Sequence, residues 1–174
     1  RNYGHLKGVE TVKKIVKTSI KLKIPILTFY VFSSENWRRP KKEINFLFML
    51  IKNYFKQEID SIIKQGIKIN ILGEKKKLST EINYGSKSEI LNAFKKTKKM
   101  TIKNFEKNLY NQNTTDPDIL IRTGGHQRLS NFMLWQMAYT ELFFLNKLWP
   151  DFNSNDLIKK INKFKKIKRN FGGI

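Results

Sequence analysis

Eight consecutive residues, Ser33-Ser34-Glu35-Asn36-Trp37-Arg38-Arg39-Pro40, bring hydroxyls, a carboxylate, an amide, an indole and two guanidinium groups together. They follow an apolar run, and polar residues placed directly after a buried strand commonly serve function. A capping loop would hold the same residues, with Trp37 as core filler and Glu35 as a salt-bridge partner. A second run, Arg122-Thr123-Gly124-Gly125 followed by Arg128-Leu129-Ser130-Asn131, reads as an anion site. Its two arginines supply planar forks of donors and Ser130 a hydroxyl. Its glycines let backbone approach an oxyanion, and an expected helix from Asn131 would add partial positive charge. Taken alone, the run is equally a tight turn carrying surface arginines. His5 near the start of the first helix can donate to a phosphate, and His126 sits inside the Arg122 loop. Glu141 offers a carboxylate to Mg²⁺, which takes oxygen ligands, or is a surface charge beside an edge strand.

The elements that must carry these groups follow from periodicity. Val9, Val12, Val16 and Ile20 predict a helix over Gly4 to Leu22, stopped by Pro25. Ile26 to Phe32 is a continuous apolar run, as in a buried parallel strand. A long helix is expected from Lys41 to Lys64, ended by Gly66. Strands are expected at Ile67 to Leu72, Asp118 to Ile121 and Leu142 to Leu145. Shorter helices are expected near Ser88 to Lys98, Thr101 to Tyr110, Asn131 to Met137 and from Asn153 through Lys168. Strands alternating with helices predict a single α/β domain, its central, mostly parallel sheet flanked by helices on both faces. Both polar runs follow strands, so they should open on the same sheet edge.

Composition narrows the class. A chain of 174 residues with 40% hydrophobic and 28% charged residues can bury a core without staples. No stretch approaches the roughly 20 apolar residues of a membrane span, and no secretory signal opens the chain. With no cysteine, disulfides and thiolate metal sites are excluded, and a reducing cytoplasm fits. The formal charge of +21 points to a polyanion partner, or to a lysine-rich composition spread over solvated faces. No nucleic-acid-binding motif accompanies it.

The motifs together resemble the cis-prenyltransferase family, in its undecaprenyl diphosphate synthase branch. Gly4-His5-Leu6-Lys7-Gly8, Phe32 through Trp37 with Arg39-Pro40, Asp118 through Gly125, Arg128 through Glu141, and Trp149-Pro150-Asp151-Phe152 match in order. The resemblance implies condensation of isopentenyl diphosphate onto an allylic diphosphate, usually farnesyl diphosphate, with cis double bonds and a requirement for Mg²⁺. It implies that Arg122, Arg128 and Ser130, with Leu129 among them, hold isopentenyl diphosphate. Arg1, His5 and Arg39 would line the allylic diphosphate site, and Glu141 would be a Mg²⁺ ligand. Asn36 would help remove the proton, with Ser33, Ser34, Glu35 and Trp37 around it. It further implies a homodimer. A basic surface docking on anionic membrane would suit a product released into a bilayer.

Departures from the family pattern are specific. Its Met-Asp-Gly-Asn-Gly-Arg-Trp motif, which carries the Mg²⁺-linked aspartate, does not occur, and His126 replaces the glutamate of Gly-Gly-Glu. Ser86 replaces the second glycine of Asn-Tyr-Gly-Gly. The nine residues between Gly73 and Asn83 are too few for the helix and strand the family has there. The expectation is that the aspartate motif and a segment near 77–82 are missing from this chain. A non-catalytic binding subunit, or a nonspecific nucleic-acid-binding protein, are the competing readings. The intact Ser33–Trp37 run argues for an enzyme.

Overall fold

Gly8, Thr11, Ile15 and Thr18 recur at helical spacing, and along that line the first helix, α1 (Asn2–Lys21), is buried. The computed structural model of the chain describes residues 2–73, 84–112 and 114–172. The buried stripe is smaller and more polar than the valine face that periodicity predicts, and Ile20 is exposed. The reason is close docking on the Trp149–Asp151 turn. Trp149 Nε1 donates to Gly8 O at 3.0 Å, Thr11 Oγ1 to Pro150 O at 3.2 Å, and Thr18 Oγ1 to Ser154 Oγ at 2.7 Å. A Cβ at Gly8 would lie 3.2 Å from the Trp149 ring, a tight approach that glycine leaves open.

Helix α2 (Lys41–Lys64) has the predicted bounds and ends where Gly66 turns left-handed, with φ 68°. Ile44 and Leu47 pack with Phe32, and Trp37, Phe48 and Ile51 surround them. Helix α3 (Ser86–Lys96) starts earlier than predicted. Helix α4 (Ile102–Glu106) is a short version of the predicted one, with the Thr101 hydroxyl accepting from Asn104 N.

Strands β1 (Ile119–Arg122) and β2 (Glu141–Phe144) pair in parallel, Ile119 opposite Glu141 and Arg122 opposite Phe144. Alternation gives each face its own core. Ile121 and Leu145 meet Ile15 of α1, Phe152, and Leu157 of the last helix, α5 (Ser154–Phe164). Leu120 meets Tyr84, Phe132, Met133 and Met137 on the other face. The α/β class with a parallel sheet covered on both faces therefore stands.

Three predicted elements do not. Among the described residues Ile26 to Phe32 forms no strand: Ile26, Leu27 and Val31 are exposed, and the only pairing beside it there is a parallel bridge of Ser33 to Tyr84. Ile67 to Leu72 forms none either, with Ile69 and Ile71 exposed. An apolar β-branched run extends readily, but a ladder needs an aligned partner. Residues 131–137 form successive turns instead of a helix. Ser130, Asn131 and Met133 have positive φ. Those φ values break a regular helix, and the amides of Met133 and Leu134 are taken by Tyr84 Oη and Ser86 Oγ at 3.2 and 2.9 Å.

Candidate functional site

The Ser33 run folds as a 3-10 turn, Ser34–Arg38, behind buried Phe32. Asn36 N donates to Ser33 O at 3.0 Å and Ser33 N donates back to Asn36 Oδ1 at 3.1 Å, so Asn36 closes the turn on itself. That spends one lone pair of its amide oxygen on holding the loop. Trp37 is half-buried against Phe32 and Phe48, with ring centroids at 5.0 and 5.8 Å, the core-filling option raised by the sequence. Partial desolvation pushes the Glu35 carboxyl up, but hydrogen bonds from Asn131, its own backbone and the Ser33 and Ser34 hydroxyls outweigh it. They hold Glu35 below the ordinary carboxylate range, and so ionised at neutral pH.

The Arg122 loop leaves the carboxyl end of β1. Arg122 Nη1 donates to Ser130 Oγ at 2.8 Å and to the carbonyl of Arg128. Desolvation, then the Arg128 charge, depress the Arg122 guanidinium. Two cations held this close favour an anion between them. Arg122, Arg128 and Ser130 are thus brought together as expected, and Leu129 packs into the Phe132 core beneath them. The glycines play a different part from the expected one. Gly124 N and Gly125 N are spent on Lys147 O and Leu145 O, both at 2.9 Å, and their φ values of 91° and 76° build the turn. With no helix starting at Asn131, the helix-end charge is also absent. Guanidinium forks and a hydroxyl carry this site.

Two contacts join the loops. Asn131 Nδ2 donates to Glu35 Oε1 at 2.9 Å, and Tyr30 Oη donates to Ser130 O at 3.2 Å. Burial pushes the Tyr30 hydroxyl up, a Ser33 hydrogen bond partly offsets it, and the Glu35 charge adds to the rise. Beneath lies a buried polar network. Glu89, 1% exposed, accepts from Tyr84 Oη at 2.6 Å, Tyr110 N at 2.8 Å and Gln136 Nε2 at 3.3 Å. Burial and then the Glu89 hydrogen bond drive the Tyr84 hydroxyl far above its ordinary range, keeping it a donor. Ser86, where the resembled family has glycine, is fully buried and gives Leu134 N its acceptor. Sequence reading placed Asn131 in the Arg128–Asn131 run without a role of its own, and missed Tyr30, Glu43, Tyr84 and Glu89. Of those four, only Tyr84 had a signal, its place in the Asn-Tyr-Gly run.

His5 and Arg39 also meet. Glu43 Oε1 accepts from Arg39 Nη1 at 3.2 Å and lies 3.6 Å from His5 Nε2, beyond hydrogen-bond reach, so one carboxylate on α2 stands beside both. Arg1 lies outside the described residues, as does the 77–82 segment. His126 is exposed in the Arg122 loop. Glu141 is not brought to the anion site. It stands opposite Ile119, three rungs before the Arg122–Phe144 pair, or about 10 Å along the strand. It also shares a face with Phe143, whereas Arg122 shares the other with Leu120. Among the described residues no group of three acidic or histidine side chains converges.

Two arginine-bearing loops joined by a side-chain hydrogen bond, one of them leaving the carboxyl end of a parallel strand, make a candidate anion site on an α/β fold. A family model described as "Putative undecaprenyl diphosphate synthase" matches residues 1–83 and 78–172, and the chain belongs to this prenyltransferase family. It is 38% identical to an isoprenyl transferase of Oceanobacillus iheyensis over 205 residues, covering 98% of this chain and 81% of that one. With an isoprenyl transferase of Wolinella succinogenes it shares 39% over 198 residues, 98% and 87% of the two chains. Both alignments are longer than the chain's 174 residues, so each relative carries residues inside the matched span that this chain lacks. Among solved structures, a probable undecaprenyl diphosphate synthase from Campylobacter jejuni superposes with TM-score 0.80 at 28% identity, covering 96% and 92% of the chains. Lavandulyl diphosphate synthase from Lavandula x intermedia, in complex with dimethylallyl diphosphate, gives TM-score 0.89 at 27% identity, covering 99% and 89%.

Proposed function

We propose that the chain transfers isopentenyl units from isopentenyl diphosphate onto an allylic diphosphate, with farnesyl diphosphate as primer, forming cis double bonds. The carrying observation is the Arg122 cluster: its guanidinium reaches Ser130 Oγ at 2.8 Å beside Arg128, while the adjoining Asn131 grips Glu35 at 2.9 Å. In the reaction the allylic carbon–oxygen bond breaks and diphosphate leaves with the electron pair. A carbon–carbon bond then forms to the isopentenyl double bond, and a proton departs. Charge builds on the leaving diphosphate, and fixed cations stabilise it. Arg122, Arg128 and Ser130 hold isopentenyl diphosphate. His5 and Arg39, both beside Glu43, face the allylic diphosphate. Asn36, with Ser33, Ser34, Glu35 and Trp37, shapes the wall where the proton is lost.

Mg²⁺ would supply charge neutralisation to the diphosphates in this reading. The product is a long-chain polyprenyl diphosphate, a carrier lipid for cell-wall precursors, made in the cytoplasm by a homodimer. Exposed Leu91, Phe94, Trp135 and Leu142 are apolar surface of the kind a second copy covers. Among the described residues no helix is long and apolar enough to cross a membrane.

The test is isopentenyl transfer. The protein is mixed with farnesyl diphosphate, labelled isopentenyl diphosphate and Mg²⁺, and butanol-extractable polyprenyl label is counted. Label that disappears with chelator and falls at least about a hundredfold in Arg122→Ala is the expected result. A folded protein giving no label would instead support a non-catalytic binding subunit.

A further inference from the structure

Asn131 is the residue where three segments of the site are tied together. Its Nδ2 donates to Glu35 Oε1 at 2.9 Å, reaching the Ser33 turn. Its Oδ1 accepts from Lys87 N and its carbonyl from Ser86 N, both at 2.8 Å, fixing it to the start of α3. It is bonded in sequence to Ser130, the hydroxyl that Arg122 holds. Its φ of 60° aims the side chain across the gap, a conformation asparagine tolerates better than most residues. Gly85 leaves the channel for this side chain: a Cβ there would lie 2.8 Å from Asn131 Nδ2. Neither of the other segments can shift without disturbing the asparagine.

We propose that Asn131 is a positioning residue for prenyl transfer, registering the Ser33–Arg39 loop against the Arg122–Arg128–Ser130 diphosphate site through its bond to Glu35. The inference rests on the transferase reading and adds how the two substrate sites are held in register. A bond that aligns a reacting loop acts on turnover more than on affinity. Asn131→Asp keeps the Oδ1 acceptor and the left-handed backbone but sets two carboxylates face to face. Adding Glu35→Gln reverses donor and acceptor and restores the bridge.

The experiment measures steady-state transfer for wild type, Asn131→Asp, Glu35→Gln and the double variant, each with its thermal midpoint. Asn131→Asp is expected to lose about tenfold in kcat with KM for isopentenyl diphosphate within about twofold. The double variant should recover to within about threefold of wild type. A purely structural role would lower the midpoint of Asn131→Asp and leave kcat of the folded protein unchanged. That result, or a double variant no better than Asn131→Asp, overturns the proposal. An inert wild type overturns the transferase reading, and the positioning role with it. An active wild type with an unimpaired Asn131→Asp overturns the positioning role alone.

Discussion

At Gly85 the constraint is space. Its backbone is extended, a conformation open to any residue, yet a Cβ would stand 2.6 Å from Ser34 Oγ and 2.8 Å from Asn131 Nδ2. Neither neighbour is free to withdraw. The Ser34 hydroxyl is engaged by the Glu35 carboxylate, and Asn131 is held on three sides. Gly85→Ala is therefore expected to destabilise the fold by about 1–3 kcal/mol and to lower prenyl transfer, since the displaced groups belong to the site. Urea unfolding alongside the transfer assay checks this, and wild-type stability in Gly85→Ala would mean that the two loops are not locked. The types and order of the reacting groups were legible because arginine, serine and histidine announce anion chemistry wherever they stand. The contacts that align them were not. Asn131 and Tyr30 reach across 96 and 100 residues of chain, and no local pattern encodes such a distance.

At the scale of elements, legibility followed the source of each element's hydrogen bonds. Helix α2 closes its own ladder and carries its stop at Gly66, so its bounds were readable. The 131–137 segment has a helical apolar pattern, yet Asn131 and Met133 stand at positive φ and two of its amides bond to Tyr84 and Ser86 side chains, so tertiary contacts override propensity. Helix α5 shows the readable kind in its cap. Asn153 Oδ1 accepts from Asn155 N at 3.0 Å and Asp156 N at 3.2 Å, while Asp156 Oδ2 accepts from Asn153 N at 3.0 Å and Lys147 Nζ at 2.7 Å. Asn153→Ala should cost about 1 kcal/mol in urea unfolding at neutral pH. The Lys147 hydrogen bond, opposed in part by desolvation and helped by the Asn153 amide, depresses the Asp156 carboxyl below its ordinary 3.8. A folded-state pKa below the unfolded one means the cap's contribution is full above 3.8 and lost as pH falls through the folded value. Asp156→Asn should accordingly lose less stability than wild type on acidification. Parallel acid-unfolding curves would show that this cap carries no pH dependence.

For the whole molecule, charge sets the expectation. Thirty-five basic and 14 acidic residues leave +21, and Lys159, Lys163, Lys165, Lys166 and Lys168 stand exposed along and just beyond α5. The apolar side of α5 is already committed: Leu157 is buried with Ile15 and Phe152, and Ile161 packs beside them. A helix in that state cannot bury its apolar face in a bilayer as an amphipathic anchor does. Contact with an anionic leaflet would rest on lysine charge alone, worth about 1 kcal/mol per residue near the surface and fading within about a Debye length. Such contact would keep a synthase of apolar chains beside the phase into which its product partitions. Co-sedimentation should then show binding to vesicles containing anionic lipid, little binding to neutral vesicles, and release on raising the salt from about 0.1 to 1 M. Lys163→Glu with Lys166→Glu should weaken the anionic binding without slowing transfer in detergent solution, because neither lysine is part of the Arg122 or Ser33 loops. Equal binding to neutral and anionic vesicles, or binding indifferent to salt, would mean that apolar surface rather than charge makes the contact. The exposed Ile26, Leu27 and Val31 would then be the segment to examine.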